Sequence, residues 1–548
     1  MKKICNILIL AIIASIGLVS CDDLLNVDSG RVTFEQDYRL SSPNDSIYSM
    51  MGIYSQLQKL ADSYVLLGEL RGDLLDVTEN SNLDLREIND FNISKTNKYA
   101  NIKDYYAVIN NCNYLIHNID TATVINGQKV MYRYYAAAKG IRAWTYMQIA
   151  LNFGSAKYYQ KPILSMADGE EINNYPDLTF NELADSLIAD IQPWKDVLAP
   201  NIFPGIEQTF PIRFLLGDLY LWTNRYQEAA TEYHELMYDY NYLINKTYQS
   251  YWVLDNNIIS TRRYAYWTDS YYYGGQEAIA SILCPTTYGQ TFDLDSLNLK
   301  YEFTPSAQAV KNWDSQTYFN TISNTVPGDL RKLESIINKN TIIDVAPNSL
   351  TTTSNPENTT VQNIVYKYIW NARAVNVQSI VIYRSSLLYL RYAEAVNRLG
   401  KPNLAFAVLK NGLNSITMNS TKVIPLNERS TAPYMNFSNF RFDNNVGIRS
   451  RGLGPKLGDL NPLVGDTNYI IPHQNQLIDS VLYVEDLIQK ELALETAFEG
   501  NRFQDLMRIA IRRDDNSYLA NIVSEKYTDN KEAIKSKLMI RSNWYIKQ

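Results

Sequence analysis

Apolar residues recur every three or four positions over two stretches of the first third of the chain, and that spacing predicts helices. In 131–153, Ala137, Ile141, Trp144, Met147 and Leu151 mark one face of a helix that stops near Asn152-Phe153-Gly154. Tyr105, Val108, Ile109, Cys112, Leu115 and Ile116 do the same in 101–119, so the two segments are expected to pack as an antiparallel pair. A further pair opens at Pro211, a residue suited to a helix start, breaks at Thr223-Asn224-Arg225 and resumes at Tyr226. In this pair Leu216, Gly217, Tyr220, Ala229 and Tyr233 match the spacing of the tetratricopeptide repeat, where small residues let two helices approach and larger ones fill the seam. Ala393, Ala405 and Leu409 fall 176 residues after Gly217, Ala229 and Tyr233, with Leu399-Gly400-Lys401-Pro402 as the turn. The predicted helices are 101–119, 131–152, 211–223, 226–239, 384–399, 402–414, 481–499 and 502–512, forming a layered core with Gly217 and Ala393 at close crossings.

Between these helices the pattern is lost. Residues 241–383 are rich in Tyr, Asn, Ser and Thr with few helical stripes, 340–362 reads as loop, and 416–480 is similarly irregular. Long excursions on a helical scaffold usually carry function rather than core. The chain therefore divides into a leader (1–20), an N-terminal helical region (21–240), an irregular ligand-binding insert (241–383) and a C-terminal helical region (384–548) with its own excursion at 416–480.

The leader has Lys2 and Lys3 followed by an apolar run from Ile7 to Val19, 13 residues long and too short to span a bilayer. It reads as an export signal. Leu18-Val19-Ser20-Cys21 resembles the lipobox of bacterial lipoproteins, in which the leader is cut before the cysteine and the thiol is acylated. Several acyl chains on one residue give a lasting anchor, at about 0.8 kcal/mol per buried methylene. Asp22 and Asp23 resemble a surface-export signal of such lipoproteins. The expected location is the outer membrane, lipid-anchored through Cys21 and facing outward.

Composition narrows the chemistry. The net charge is −7, becoming −9 once Lys2 and Lys3 leave with the leader, and no basic run offers a footprint for nucleic acid. No apolar segment after residue 20 approaches membrane-spanning length. Of the four cysteines, Cys5 leaves with the leader and Cys21 is the anchor. Cys112 and Cys284 leave a single disulfide open, although the apolar helical setting of Cys112 favours a buried thiol. His117, His234 and His473 stand apart, so neither a zinc site nor any other metal or cofactor is expected. Gly452-Leu453-Gly454-Pro455 fits no nucleotide fingerprint and reads as a turn, and no Gly-x-Ser-x-Gly elbow occurs. A glycosidase remains open because it needs only two carboxylates, and 58 acidic residues cannot be paired from sequence. Tyrosine is the strong deviation, 42 of 548 residues, suited both to core filling and to polar-ligand surfaces.

Glu491-Leu-Ala-Leu-Glu495-Thr-Ala-Phe498-Glu499-Gly500-Asn-Arg502-Phe-Gln-Asp505-Leu-Met-Arg508 resembles the closing helix-turn-helix signature of the SusD/RagB family of outer-membrane nutrient-binding lipoproteins. Further matches follow in family order: the lipobox with Asp22-Asp23-Leu24-Leu25-Asn26, the Tyr105–Asn113 helix, Ala138 to Tyr146, Glu277-Ala-Ile-Ala280, Val365-Tyr-Lys367-Tyr, and Leu388-Tyr-Leu-Arg391-Tyr-Ala-Glu394. The resemblance implies a mainly α fold: a SusD-like scaffold of tetratricopeptide-like helix pairs with a large irregular, partly β insert. It implies capture of an oligosaccharide, or of a peptide in one branch, and delivery to a SusC-like TonB-dependent outer-membrane barrel, without catalysis. A structural or fimbrial surface lipoprotein is the third alternative. The spacing of Glu491, Glu495 and Glu499 by four predicts an ion-paired core corner, with Arg502, Asp505 and Arg508 returning toward those carboxylates.

Sugar rings stack their C–H faces on aromatic rings while their hydroxyls seek amides, carboxylates and guanidinium groups. Two segments offer that mixture. One is Arg262 to Gly275, with Trp267, Tyr271, Tyr272 and Tyr273, followed by Trp313 and Tyr318; the other is Arg71-Gly-Asp73 to Asn80. The expected ligand contacts are Trp267, Tyr271, Tyr272, Tyr273, Trp313, Arg71, Asp73 and Asn80, with Trp267 the principal platform. Replacing Cys21 by Ala is expected to release the protein from the membrane fraction and abolish labelling by a fatty-acid probe; unchanged sedimentation and labelling would rule out the anchor.

Overall fold

The computed structural model describes residues 40, 42–198, 200, 210–244, 250–255, 258–263, 277–285, 291–318, 326–339, 361–369, 377–453 and 468–547. Cys21 and the Trp267–Tyr273 segment lie outside the described residues. The scaffold helices are α1 Pro43–Gln58, α2 Ala61–Glu69, α3 Ile102–Asn118, α4 Met131–Phe153, α5 Phe180–Ile191, α6 Ile212–Trp222, α7 Tyr226–Tyr238, α8 Ser385–Arg398, α9 Pro402–Lys410, α10 Leu477–Glu495, α11 Arg502–Arg513, α12 Asn516–Ser524 and α13 Lys531–Leu538. The eight predicted helices are α3, α4 and α6 to α11, within a few residues at most boundaries. The exceptions are α10, which starts earlier and ends at Glu495 rather than 499, and α9, which ends at Lys410.

Hairpins stack as the repeat spacing implies. α3 packs on α4, α6 on α7 and α8 on α9, while α7 also lies against α8, so the two repeat-like pairs are neighbours. Gly217 supplies the close approach between α6 and α7. A Cβ there would stand 2.4 Å from Cε1 of Tyr233, whose ring is fully buried and whose hydroxyl donates to Asp218 at 2.6 Å. Ala393 is likewise fully buried at its crossing. α4 and α8 depart from the expected one-sided pattern: nearly every residue from Ala136 to Asn152 and every residue from Ser385 to Asn397 is buried, so both run through the middle of the core.

Helices beyond the predicted set have legible causes. Ser42 caps α1 by accepting the Asp45 N–H, with Pro43 at its first turn, and Thr179 and Glu182 form a capping box on α5. α2 lacks a stripe because Ala61 and Ser63–Glu69 are all buried, a pattern that periodicity does not register. α11, α12 and α13 follow one another in packed succession, and α2 lies on α11.

Short strands join the helices: β1 Leu75–Val77 in the N-terminal region and, in the irregular region, β2 Ser250–Asp255, β3 Ile258–Arg263, β4 Ala278–Pro285, β5 Phe303–Pro305, β6 Ile336–Asn338, β7 Asn363–Val365 and β8 Val377–Arg384. β2 and β3 form a hairpin, while β1 pairs with β5, β6 with β7 and β4 with β8, all antiparallel. β4 and β8 are rich in Ile and Val and almost continuously buried, with Ile282 opposite Ile380. Cys284 ends up buried in β4 and Cys112 in α3, both as free thiols; burial pushes the Cys112 thiol up to about 12. Among the described residues no helix is long and apolar enough to cross a membrane. Gly217→Ala is expected to cost about 1–3 kcal/mol by overpacking the Tyr233 ring. Gly169→Ala, in the helix Met166–Asn173 with nothing within 4 Å of the added carbon, is the control and should be neutral or slightly stabilising. Equal melting temperatures for the two variants would contradict the crossing.

Candidate ligand-binding site

Several segments remote in sequence bring charged side chains to the end of α10. Glu495 is fully buried and accepts from Arg331 Nη1 at 2.9 Å, Arg384 Nη1 at 2.9 Å and Arg451 Nη1 at 2.8 Å. Arg331 also reaches Glu491 at 2.5 Å and Asp329 at 2.9 Å through Nε, Arg384 reaches Glu499 at 2.7 Å, and Lys367 donates to Glu499 and to the Ala497 carbonyl, each at 2.7 Å. Glu277 completes the set: it meets Arg451, accepts Ser386 Oγ at 3.0 Å and lies 3.5 Å from Arg384. Burial alone would raise the Glu495 carboxyl, but Arg451, Arg384 and Arg331 overcome it and hold it well below the usual carboxylate range. Burial wins at Glu491, whose carboxyl is raised, and at Lys367, lowered to about 8.

This is the ion-paired corner expected from the Glu491, Glu495 and Glu499 spacing, with different partners. α10 ends at Glu495, so Glu499 is not on the helix. The chain then turns through left-handed Phe498 and Gly500, at φ +68° and +89°, and Glu69 accepts the N–H groups of both. A Cβ on Gly500 would lie 2.7 Å from the Tyr64 ring, and one on Gly68 would strike the Gly500 carbonyl, so α2 and this turn meet backbone to backbone. The turn sends α11 elsewhere. Arg502 pairs with Asp73 at 2.5 Å, Arg508 with Glu394 at 2.6 Å, and Asp505 with Arg391.

The expected ligand contacts separate into three groups. Trp267, Tyr271, Tyr272 and Tyr273 lie outside the described residues; the described chain on either side is Arg263, ending β3, and Glu277, held in the charged cluster. Asn80 is exposed on the turn after β1, its amide 3.3 Å from the Lys300 carbonyl. Arg71, Asp73 and Trp313 are buried in the interior rather than set on an exposed surface. Trp313 is fully buried, donating from Nε1 to the Leu494 carbonyl at 3.2 Å with its ring 5.9 Å from Phe498. Asp73 is spent on Arg502, and Arg71 donates to the Leu67 and Trp544 carbonyls and to Asn152. These residue types suit a glycan, but composition does not distinguish a surface loop from the inside of a helix junction.

A concavity that the sequence reading passed over lies between α4, α6 and the end of α7. It encloses about 360 Å³, with Arg133, Lys195, Arg213, Phe210, Tyr240 and Tyr242 among its lining. Tyr240 and Tyr242 lie nearly parallel, 6.5 Å apart at 9°, and Glu232 neutralises Lys195 at 2.8 Å and also Arg213. The run Tyr238-Asp-Tyr240-Asn-Tyr242 was its signal. His234 is not part of it: Nε2 lies 2.7 Å from the Asn436 carbonyl and the ring stacks on Tyr238. Among the described residues no group of three or more His, Cys, Asp and Glu side chains could hold a metal ion.

Glu495→Gln should remove about 3–5 kcal/mol of stability at neutral pH by leaving three guanidinium groups short of a counter-charge. A carboxyl held below its ordinary value of 4.5 contributes stability that is present above that pH and lost as the pH falls. The gap between wild type and variant in urea denaturation is therefore expected to be widest at pH 7 and to narrow below pH 4.5; a gap independent of pH would show that the charge is not what Glu495 contributes.

The sequence pattern of the SusD family matches residues 220–545, more than half of the chain and the stretch that contains the insert and the charged corner. No curated protein matches it significantly. Three solved structures share the fold over nearly the whole chain. A SusD homologue from Bacteroides thetaiotaomicron superposes with a TM-score of 0.58 at 15% identity, covering 92% of this chain and 94% of its own. A SusD-like carbohydrate-binding protein from Bacteroides fragilis gives 0.56 at 16% identity over 87% and 88%. Surface glycan-binding protein A from Bacteroides fluxus gives 0.53 at 16% identity over 90% and 94%. With the family pattern matching more than half of its length, this chain belongs to the SusD family.

Proposed function

We propose that this protein is a surface-exposed, lipid-anchored glycan-binding protein that captures an oligosaccharide and passes it to a partner TonB-dependent outer-membrane barrel, without chemistry of its own. The observation that carries the reading is the family match over residues 220–545, which includes the insert. It is supported by similarity of fold to a carbohydrate-binding protein of B. fragilis and a surface glycan-binding protein of B. fluxus. The leader and Cys21 support the anchor and the outward location.

Trp267, Tyr271, Tyr272 and Tyr273 supply the aromatic faces in this reading, and Asn80 an exposed amide. The charged corner supplies rigidity: Arg451 is paired to Glu495 at the α10 end and holds Glu277 with it. Binding on loops held by a stiff base loses less ordering entropy than binding on free ones.

Trp267→Ala is expected to weaken a glycan identified by array screening by about 1–3 kcal/mol, by analogy with the loss of an aromatic stacking partner for a base, with melting unchanged. Retained affinity in that variant and in Tyr271/Tyr272/Tyr273→Ala would place the site elsewhere. Co-purification of a large outer-membrane barrel with the full-length lipoprotein is the expected partner result. Turnover of the bound glycan by the purified protein would instead support an enzyme.

A further inference from the structure

Arg71 is a buried cation with no carboxylate partner among the described residues. Its side chain belongs to a residue 1% exposed, and its acceptors are two backbone carbonyls, of Leu67 and Trp544, and the neutral amide oxygen of Asn152. The buried guanidinium groups of Arg142, Arg331, Arg384, Arg391, Arg451, Arg502, Arg508 and Arg512 each form an ion pair. Among the described residues no acid pairs with Arg71; the Phe503 ring lies 4.5 Å from its central carbon, and burial lowers its pKa to about 9. Buried Arg449 is likewise held by neutral groups, Gln316, the Thr317 carbonyl and the Tyr318 and Tyr469 rings. An uncompensated charge at such depth is costly, and natural structures usually pair it.

The same guanidinium lines a cavity of about 160 Å³ between the Phe91–Ile93 turn, α13 and the closing segment Asn543–Lys547. Lys537 and Lys547 line it as well, and among the described residues no acidic side chain does. Around them, Lys537 is half-buried, donates to the Asp90 carbonyl at 3.2 Å, and feels the attraction of Asp90 and the repulsion of Lys547. Three cations thus line one concavity, with Asp90 the acid beside Lys537 among the described residues. Phe91 holds a left-handed backbone at φ +54°, rare for a bulky residue and a feature that concentrates at ligand clamps. The volume is below the roughly 300–1,000 Å³ of sites for larger organic ligands and suits a small charged group.

We infer that this cavity is an oxyanion site, taking a carboxylate, sulfate or phosphate group against Arg71 with Lys537 and Lys547 at its rim. Charge-assisted bonds from a guanidinium and two ammonium groups are the strong class of hydrogen bond, and the anion would join the 91–93 turn to the C-terminal segment. The inference does not depend on the glycan reading.

The test is calorimetric titration and thermal melting of the full-length protein with sodium sulfate, sodium phosphate and sodium glucuronate, against sodium chloride at matched ionic strength and neutral glucose. At least one oxyanion is expected to give measurable heat and a saturable rise in melting temperature, and the most effective one identifies the source class. Lys537→Gln/Lys547→Gln, on accessible side chains, should melt normally without anion and bind it at least about tenfold more weakly, whereas Trp267→Ala should bind it unchanged. No saturable response to any of the three anions, a rise that only grows with salt as surface exclusion produces, or equal affinity in the double variant would each overturn the site.

Discussion

A buried acid at the end of one helix fixes three distant segments of the chain to that helix. Glu495 closes α10, and the three arginines that meet it come from the turn before β6, the end of β8 and the 416–453 excursion. Desolvating four charges is expensive, and their mutual attraction repays it only when the geometry is closely held. The corner therefore penalises any displacement of these segments: a shifted strand leaves a charge unpaired in the interior, which costs far more than a lost apolar contact. Segments with little apolar surface of their own are held in place by that penalty.

The helical layers provide the complementary constraint. α6 and α7 approach closely only because Gly217 has no side chain opposite Tyr233, and α2 meets the turn after α10 only because Gly68 and Gly500 are bare. Through this turn Glu69 takes the N–H groups of Phe498 and Gly500 while Arg502 takes Asp73, so the N-terminal helices and α11 are joined by backbone contact and charge together. A second buried cluster, in which Glu394 receives Arg508 and Arg512, ties α8 to α11. Stiffness is thus concentrated where loops leave and rejoin the scaffold, as suits a family whose members keep the fold at 14–17% identity.

The three interior residues once expected at a ligand surface illustrate the limit of composition as a guide. Arg71, Asp73 and Trp313 have the chemistry of sugar contacts, and each is consumed by the joints just described. Polar side chains are needed wherever buried helix ends leave backbone carbonyls unsatisfied, and a large α protein buries such ends in its interior. Tyr240 and Tyr242 show the converse, a stacked pair facing a concavity from a short run that periodicity treats as the frayed end of a helix.

By itself the sequence determined the elements whose signal is local. Periodic apolar spacing located α3, α4 and α6 to α11, small residues at Gly217 and Ala393 marked the crossings, and the spacing of Glu491 and Glu495 announced a charged corner, because helix geometry places residues three and four apart on one face. Tertiary structure alone decided which charges pair. Arg331, Arg384 and Arg451 stand 44 to 164 residues from Glu495, and a left-handed turn at Phe498 and Gly500 redirects Arg502 to Asp73, 429 residues away. It also decided burial: α4 and α8 are enclosed on all sides, and Arg71 lies in the interior with no acid paired to it among the described residues, because enclosure depends on what the rest of the chain brings alongside and not on the residues of the segment.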